Sequence, residues 1–272
     1  MQAKYTKETK TPFRSCEFVR TNGYKMNDLH WHTYYEILFI RAAGKYAVSN
    51  SGNVHEGEAP RIYIHRPYSP HKIFIQTGTP YERYITYVYR STLRNIGDIL
   101  DLSVFEKACM LVITPTPKEV GWLKEKCDEL ISADRAGDRT ETALLTALIF
   151  NRLLNSVGTD SCKVITSRFE YIQDVLQYID ENLAEPLTIG KLCARFGVGH
   201  TKLLADFRDA TGTTFKKFLT DLRMTRAYEL LQSGSSIINA SLETGYSSEA
   251  HFIAAFRRYW GRTPGSFATV KK

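Results

Sequence analysis

The chain has 272 residues, 43% of them apolar and 24% charged, which suits one large or two moderate domains with real cores. With 36 Lys and Arg against 29 Asp and Glu the net charge is +7, which favours an anionic partner. No apolar run approaches the ~20 residues of a membrane span, Met1 to Thr11 carries no signal-peptide core, and the 5 scattered cysteines include no Cys-x-x-Cys, so a cytoplasmic protein with reduced thiols and no membrane partner is expected.

From about Arg14 to Tyr89 the pattern is strand-like. Glu36 to Arg41 ends at Gly44, and Lys45 to Ser49 is closed by Asn50-Ser51-Gly52-Asn53. Arg61 to Ile64 lies between Pro60 and Pro67, and Lys72 to Gln76 and Arg83 to Tyr89 finish the set. Short runs rich in Ile, Val, Tyr and Phe, spaced by turn residues, predict a small antiparallel barrel or sandwich.

The residues with chemistry in this half are His30, His32, Glu36 and His71. In a strand, His30 and His32 point the same way, because side chains alternate with period two. Imidazole and carboxylate suit Zn, Fe, Mn or Ni. His-x-His-x-x-x-Glu with a later His is similar to the cupin metal pattern, and the whole stretch resembles a cupin-type effector domain. The Pro67 to His71 region lacks the glycine-containing second motif of cupin enzymes. Three readings stay open: a metal site, residues lining an effector pocket, and structure at a barrel mouth. His30, His32, Glu36, Tyr46 and His71 form the effector set expected here, with no cofactor. Tyr63 and Tyr84 are further candidates for the cavity wall, against plain core.

Helical patterns return after about Ser91. Pro117 starts one that runs to about Ala133, with Val120, Leu123, Cys127 and Leu130 on one face. After Gly137-Asp138, Thr140 to Ser156 carries Leu144, Leu145, Leu148, Ile149 and Leu153, an apolar face wider than one contact needs. It reads equally as a dimer seam and as packing on the barrel. Gly158 to Ser161 is the expected linker. Arg168 to Leu183 predicts another helix that packs Phe169, Ile172, Val175, Leu176 and Ile179. The expected domains are thus 1–90, a helical segment 91–157, a linker 158–167, and 168–272.

The last stretch contains a repeat. Phe207-Arg208-x-x-x-Gly212-x-Thr214-x-x-x-Phe218 returns as Phe256-Arg257-x-x-x-Gly261-x-Thr263-x-x-x-Phe267. A repeat of this kind means one supersecondary unit used twice. Upstream of each copy lies a capped short helix and a glycine turn: Thr188 before Ile189 to Phe196 with Gly197-Val198-Gly199, and Ser236 before Ile237 to Thr244 with Gly245-Tyr246-Ser247. Two short helices around a glycine turn describe a helix-turn-helix, here at about 188–210 and 236–260. At 100° per residue Leu203, Phe207 and Ala210 share one side, as do Phe252, Phe256 and Tyr259. Opposite lie Thr201, Lys202, Ala205, Arg208 and Asp209 in one copy, and Ala250, His251, Ala254, Arg257 and Arg258 in the other.

Leu203-x-x-x-Phe207-x-x-x-x-Gly212, Leu222-Arg223-Met224-x-x-Ala227-x-x-Leu230-Leu231, Gly245-Tyr246-Ser247-Ser248-x-x-x-Phe252 and Phe256-x-x-x-x-Gly261-x-x-Pro264 together resemble the DNA-binding domain of the AraC/XylS family of transcription regulators. The resemblance implies an α+β chain: a cupin-like antiparallel β-barrel with a helical dimerisation segment, then an all-α domain with two helix-turn-helix units. A long helix, Phe215 to Gln232, joins the units with Phe218, Leu219, Leu222, Leu230 and Leu231 inward; at ~1.5 Å per residue it spans roughly 25 Å. Ala205 and Ala254, with Leu204 and Ile253 beside them, stand where family members often carry polar groups; they fit thymine methyls instead. Ala240, Ser241 and Thr244 are small for their helix and predict looser packing there. The expected DNA contacts are Thr201, Lys202, Ala205, Arg208, Ala250, His251, Ala254, Arg257 and Arg258, with Lys216, Lys217 and Arg262 adding to the phosphate grip. The resulting expectation is a non-enzymatic, homodimeric regulator of a double-stranded operator, controlled by a sugar or other metabolite and meeting RNA polymerase if it activates. A metal-dependent cupin enzyme fused to a DNA-binding domain is the rival.

Overall fold

The computed structural model describes residues 15–22, 30–50, 53–76, 78–89, 92–93, 100–166 and 170–267. It divides into two compact units, Met1–Glu170 and Tyr171–Lys272.

The first unit is built on two antiparallel sheets. The larger has the order β1 (Cys16–Asn22), β7 (Pro80–Val88), β2 (Tyr35–Ala42), β5 (Arg61–His65), β8 (Ala108–Ile113) and β9 (Cys162–Thr166). The smaller is β4 (Asn53–Gly57), β3 (Tyr46–Asn50) and β6 (His71–Ile75). The expected antiparallel strands are present, and among the described residues they form two sheets. Alternation sorts the side chains. Ile37 and Phe39 of β2 join Ile62, Ile64 and Leu111 in a core on one face of the large sheet. Leu38 and Ile40 join Tyr63, Tyr46, Val48 and Ile73 in a second core shared with the small sheet.

Two helices cover the first face. In α1 (Pro117–Ala136), Thr116 and Glu119 form a reciprocal capping box with Pro117 in the first turn, so the helix starts where proline costs nothing. It buries Leu123, Cys127 and Leu130. In α2 (Arg139–Leu154), Leu145, Ile149 and Leu153 are buried in that core, whereas Leu144 and Leu148 stay 64% and 47% exposed. The wide apolar face therefore does both things at once: half packs and half looks outward.

Three expectations need correction. Residues 108–113, inside the stretch taken as helical, form β8; Ala-Cys-Met-Leu-Val-Ile is buried at every position, and a doubly covered strand has no alternation to betray it. Residues 162–166, taken as linker, pair with β8 as β9. Tyr84 is not on the same side as Tyr63: it lies in the helix-covered core and its hydroxyl donates to Asp128 Oδ1 of α1 at 2.7 Å. The readings placed on Arg14, Ser51, Gly52, Arg168 and Phe169 lie outside the described residues.

The second unit is all helical: α3 (Glu170–Glu181), α4 (Ile189–Phe196), α5 (His200–Thr211), α6 (Phe215–Gln232), α7 (Ile237–Glu243) and α8 (Glu249–Trp260). Thr188, Thr214, Ser236 and Ser248 cap four of these by accepting from a backbone N–H three residues on. Phe207 meets Phe215 and Phe218 edge-on, with ring centroids 6.0 and 5.3 Å apart, and this ties α5 to α6. Met224, Ala227 and Leu231 of α6 then pack with Ala240, Phe252 and Phe256. Ala240, Ser241 and Thr244 are fully buried, and the Thr244 hydroxyl donates to Ala240 O at 2.6 Å; the small residues are enclosed, and it is Ile238 and Leu242 of the same helix that stay exposed.

Candidate functional site

In the first unit, His30, His32, Glu36 and His71 come together. All four are buried, and one potential ligand atom from each lies within 4.8 Å of the others. The sequence argument named residues that do converge, but by a partly wrong route. Only residue 30 makes a β-bridge, to His71; residues 31–34 are irregular and β2 begins at Tyr35. The rings converge because the His30 N–H donates to His71 O (3.1 Å) and the His71 N–H to His30 O (2.9 Å). Glu36 sits on the β2 face shared with Leu38, and His71 on the β6 face shared with Ile73.

His65 belongs to the cluster and was missed. It pairs with Glu36 across β5 and β2, and its ring stacks on His71 with centroids 3.9 Å apart. Its position two residues after Tyr63 was the available cue, but the predicted strand stopped at Ile64. Tyr46 is set further back. Its hydroxyl accepts from Tyr63 at 3.3 Å, and Tyr63 in turn lies parallel to His65 at 6.4 Å, so Tyr46 reaches the histidines only through that relay.

The hydrogen bonds fix which nitrogens face inward. His32 Nδ1 donates to Tyr34 O at 2.7 Å and His71 Nδ1 to Ser69 O at 2.9 Å. The Nε2 atoms then turn to Glu36, at 3.6 Å for His32 and 3.5 Å for His71, and neither has a hydrogen-bond partner. Burial pushes His30 and His65 well below the ordinary imidazole range and His32 down to about 4. Burial works against the Glu36 carboxylate, but His71, His32 and His65 outweigh it and hold the group well below the usual carboxylate range. The result near neutral pH is a buried Glu36 anion among the neutral rings of His30, His32 and His65.

In the second unit the candidate surface is the outer side of α5 and α8. Thr201, Lys202, Ala205 and Arg208 are exposed on α5; Ala250, His251, Ala254, Arg257 and Arg258 are exposed on α8; Lys216, Lys217 and Arg262 are exposed too. Leu203, Phe207, Phe252 and Phe256 are buried, so the helical phase read from the sequence is the observed one. Arg208, Lys216, Arg257, Arg258 and Arg262 have no ion-pair partner among the described residues. Lys202 differs: its Nζ is 2.5 Å from Asp206 Oδ2, which also accepts from the Tyr171 hydroxyl. Lys217 is likewise paired, to Asp221 at 2.8 Å. Exposed pairs of this kind are worth under ~1 kcal/mol, so either lysine exchanges its carboxylate for a phosphate at little cost.

A positioning residue also escaped the sequence argument. Arg223 Nη2 donates to the carbonyls of Leu183 and Glu185, at 2.9 Å each, and so straps α6 to the turn between α3 and α4. Gly245 closes against it. Its φ is +76°, and a Cβ there would overlap the Leu183 carbonyl and come within 2.5 Å of Arg223 Nη2. An arginine amid inward apolar positions was the only cue.

A family model described as a helix-turn-helix domain matches residues 192–269. The regulatory protein SoxS of Escherichia coli strain K12 is 30% identical over 102 residues, covering 37% of this chain and 95% of SoxS. The virulence regulon transcriptional activator VirF of Yersinia enterocolitica is 28% identical over 96 residues, 35% of each chain, so this chain spans about a third of VirF's length. Over 93% of this chain and 97% of the other, the fold is that of ToxT from Vibrio cholerae O395, solved bound to (E)-4-(8-methylnaphthalen-1-yl)but-3-enoic acid, with a TM-score of 0.50 and 12% identity.

Proposed function

We propose that the chain, which belongs to the AraC/XylS family of DNA-binding transcription regulators, grips a double-stranded operator with α5 and α8 under the control of a small molecule held in its first unit. The observation that carries this is the matched exposure of the two second helices: each buries its phenylalanines and turns its predicted contact residues to solvent. A recognition helix uses that outward side to reach base edges and phosphates. Thr201, Lys202 and His251 supply polar contacts to bases, Ala205 and Ala254 meet thymine methyls, and Arg208, Arg257, Arg258, Lys216, Lys217 and Arg262 hold the backbone.

Selection of duplexes from a random pool by the full chain tests this. The expected product is a bipartite site whose halves recur about one helical turn, ~34 Å, apart. A selected pool no different from the input would overturn the assignment.

The effector, a sugar or other metabolite, is assigned to the buried cluster of His30, His32, Glu36 and His71, with Tyr46 behind. Support comes from buried nitrogens without hydrogen-bond partners, which a polar ligand would satisfy. ToxT, of similar fold, was solved with a small acid bound. The working form is a cytoplasmic homodimer without enzymatic activity, and RNA polymerase is its partner if it activates. No helix among the described residues is long and apolar enough to cross a membrane.

The dimer is assigned to the outward side of α2. Leu144 and Leu148, one turn apart, are exposed there. Replacing both with glutamate is expected to convert a dimer into a monomer in sedimentation velocity, with the melting temperature nearly unchanged because neither side chain is in the core. A dimer that survives the double change places the seam elsewhere.

A further inference from the structure

We propose that Tyr171 and Tyr259 are positioning residues for DNA binding: each fixes an aspartate that holds one lysine of the reading surface, Lys202 or Lys217, where it meets the operator. The proposal rests on the reading of the second unit as the part that grips DNA.

Two trios of side chains carry it. On α5, Asp206 Oδ2 accepts from Lys202 Nζ and from the Tyr171 hydroxyl of α3, each at 2.5 Å. On α6, Asp221 Oδ2 accepts from Lys217 Nζ at 2.8 Å, and the same carboxylate takes the Tyr259 hydroxyl of α8. In both, lysine and aspartate stand four apart on one helix and the tyrosine comes from another. The side chains of Asp206 and Asp221 are only 17% and 15% exposed, whereas both lysines reach solvent. Burial, and then the neighbouring aspartate, push both phenols above their ordinary range, so each stays protonated and donates. The tyrosine fixes the carboxylate, and the carboxylate fixes the ammonium.

Helix stability does not account for the trios. Lys202 and Lys217 are each the third residue of their helix, at the end whose dipole disfavours a cation. With the lysine N-terminal to the aspartate, the charge order is the weaker of the two possible at this spacing. Nor is one trio the repeat image of the other. The repeat that maps Phe207 onto Phe256 puts His251 and Ala255 where Lys202 and Asp206 stand. The arrangement thus occurs at two unrelated positions, each time on a lysine assigned to DNA contact. A comparable trio in the first unit, Tyr84, Asp128 and Lys124, differs on both counts: Lys124 lies well past the first turn of α1, and the Asp128 side chain is 48% exposed.

The gain is preorganisation. A lysine gives up as much rotamer freedom as any side chain when it is pinned. The ion pair itself is weak, under a factor of ~5, and an ammonium has three N–H donors, so a phosphate can displace the aspartate or share the lysine with it. What the tyrosine supplies is location: an ammonium already in place loses less freedom on binding. For Lys202 the same constraint narrows which base edge is in reach.

The test is a double-mutant cycle on the full chain, read by fluorescence anisotropy on a duplex selected by the wild type, together with trace acetylation of the lysines followed by mass spectrometry. Tyr171→Phe and Tyr259→Phe change no charge. Each is expected to weaken binding about threefold. Tyr171→Phe adds nothing in a Lys202→Ala background, and Tyr259→Phe adds nothing in a Lys217→Ala background. Without DNA, Tyr171→Phe raises acetylation of Lys202 about threefold and leaves Lys217 and Lys124 unchanged, and Tyr259→Phe does the same for Lys217 alone. Losses that persist in the alanine backgrounds make the tyrosines supports of the fold only and overturn the proposal, as does unchanged acetylation. If Tyr259→Phe does not fold, the Tyr171 arm decides alone. A wild type that binds no duplex removes the operator reading and this role with it; a wild type that binds while the cycle is additive removes the role alone.

Discussion

Replacing Arg208 and Arg257 together by alanine is expected to weaken binding to every duplex, specific or random, by roughly a hundredfold. These are the matched arginines of the two repeats, each next to a buried phenylalanine and each exposed. A hydrogen bond to a charged group is worth about 1.5 kcal/mol at the low end, so two come to about 3 kcal/mol. The second readout is salt. Each neutralised phosphate adds about 0.9 to the slope of log K against log salt, so the double variant loses about 1.8. Fluorescence anisotropy over a salt series on one selected and one scrambled duplex measures both. Loss confined to the selected duplex would make the arginines base readers and the phosphate assignment wrong.

The second large effect is on stability. Gly245→Ala is expected to cost the second unit about 2–5 kcal/mol: about 1–2 for an L-residue held at φ +76°, and about 1–3 for the overlap with the Leu183 carbonyl and the Arg223 guanidinium. The guanidinium can swing away, but then the carbonyls of Leu183 and Glu185 lose their donor. Gly197→Ala is the control. That glycine has φ +64° with nothing within 4 Å of the added carbon, so it reports the conformational cost alone. Hydrogen exchange of peptides from α6 to α8 in the full chain resolves the difference, because exchange reads local opening free energy in a chain of two units. Equal protection in the two variants would mean that the clash relaxes freely.

The second unit was legible in the sequence because its signals agree at every level. Thr188, Ser236 and Ser248 stand at starts, Gly197, Gly212 and Gly261 at ends with positive φ, and the apolar residues keep one helical phase between them. The first unit hid more. β8 is covered on both faces and reads as an unbroken apolar run; β9 at the sheet edge carries no pattern in Cys-Lys-Val-Ile-Thr. His30, His32, Glu36 and His71 could be named from spacing. Their convergence depends on a backbone bridge between residues 30 and 71, and on His65 arriving from a third strand, neither of which local sequence encodes.

On the proposed reading surface, the alanines at its centre divide the energetics of operator choice from those of operator capture. Ala205 and Ala254 are exposed, and Leu204 beside the first is 37% exposed. Contacts from such groups to thymine C5-methyls release no counterions. On the proposed assignment, concentrated electrolyte weakens the arginine contacts to every site alike while that apolar discrimination persists, so the ratio of affinities between sites is kept as all of them are bound more weakly.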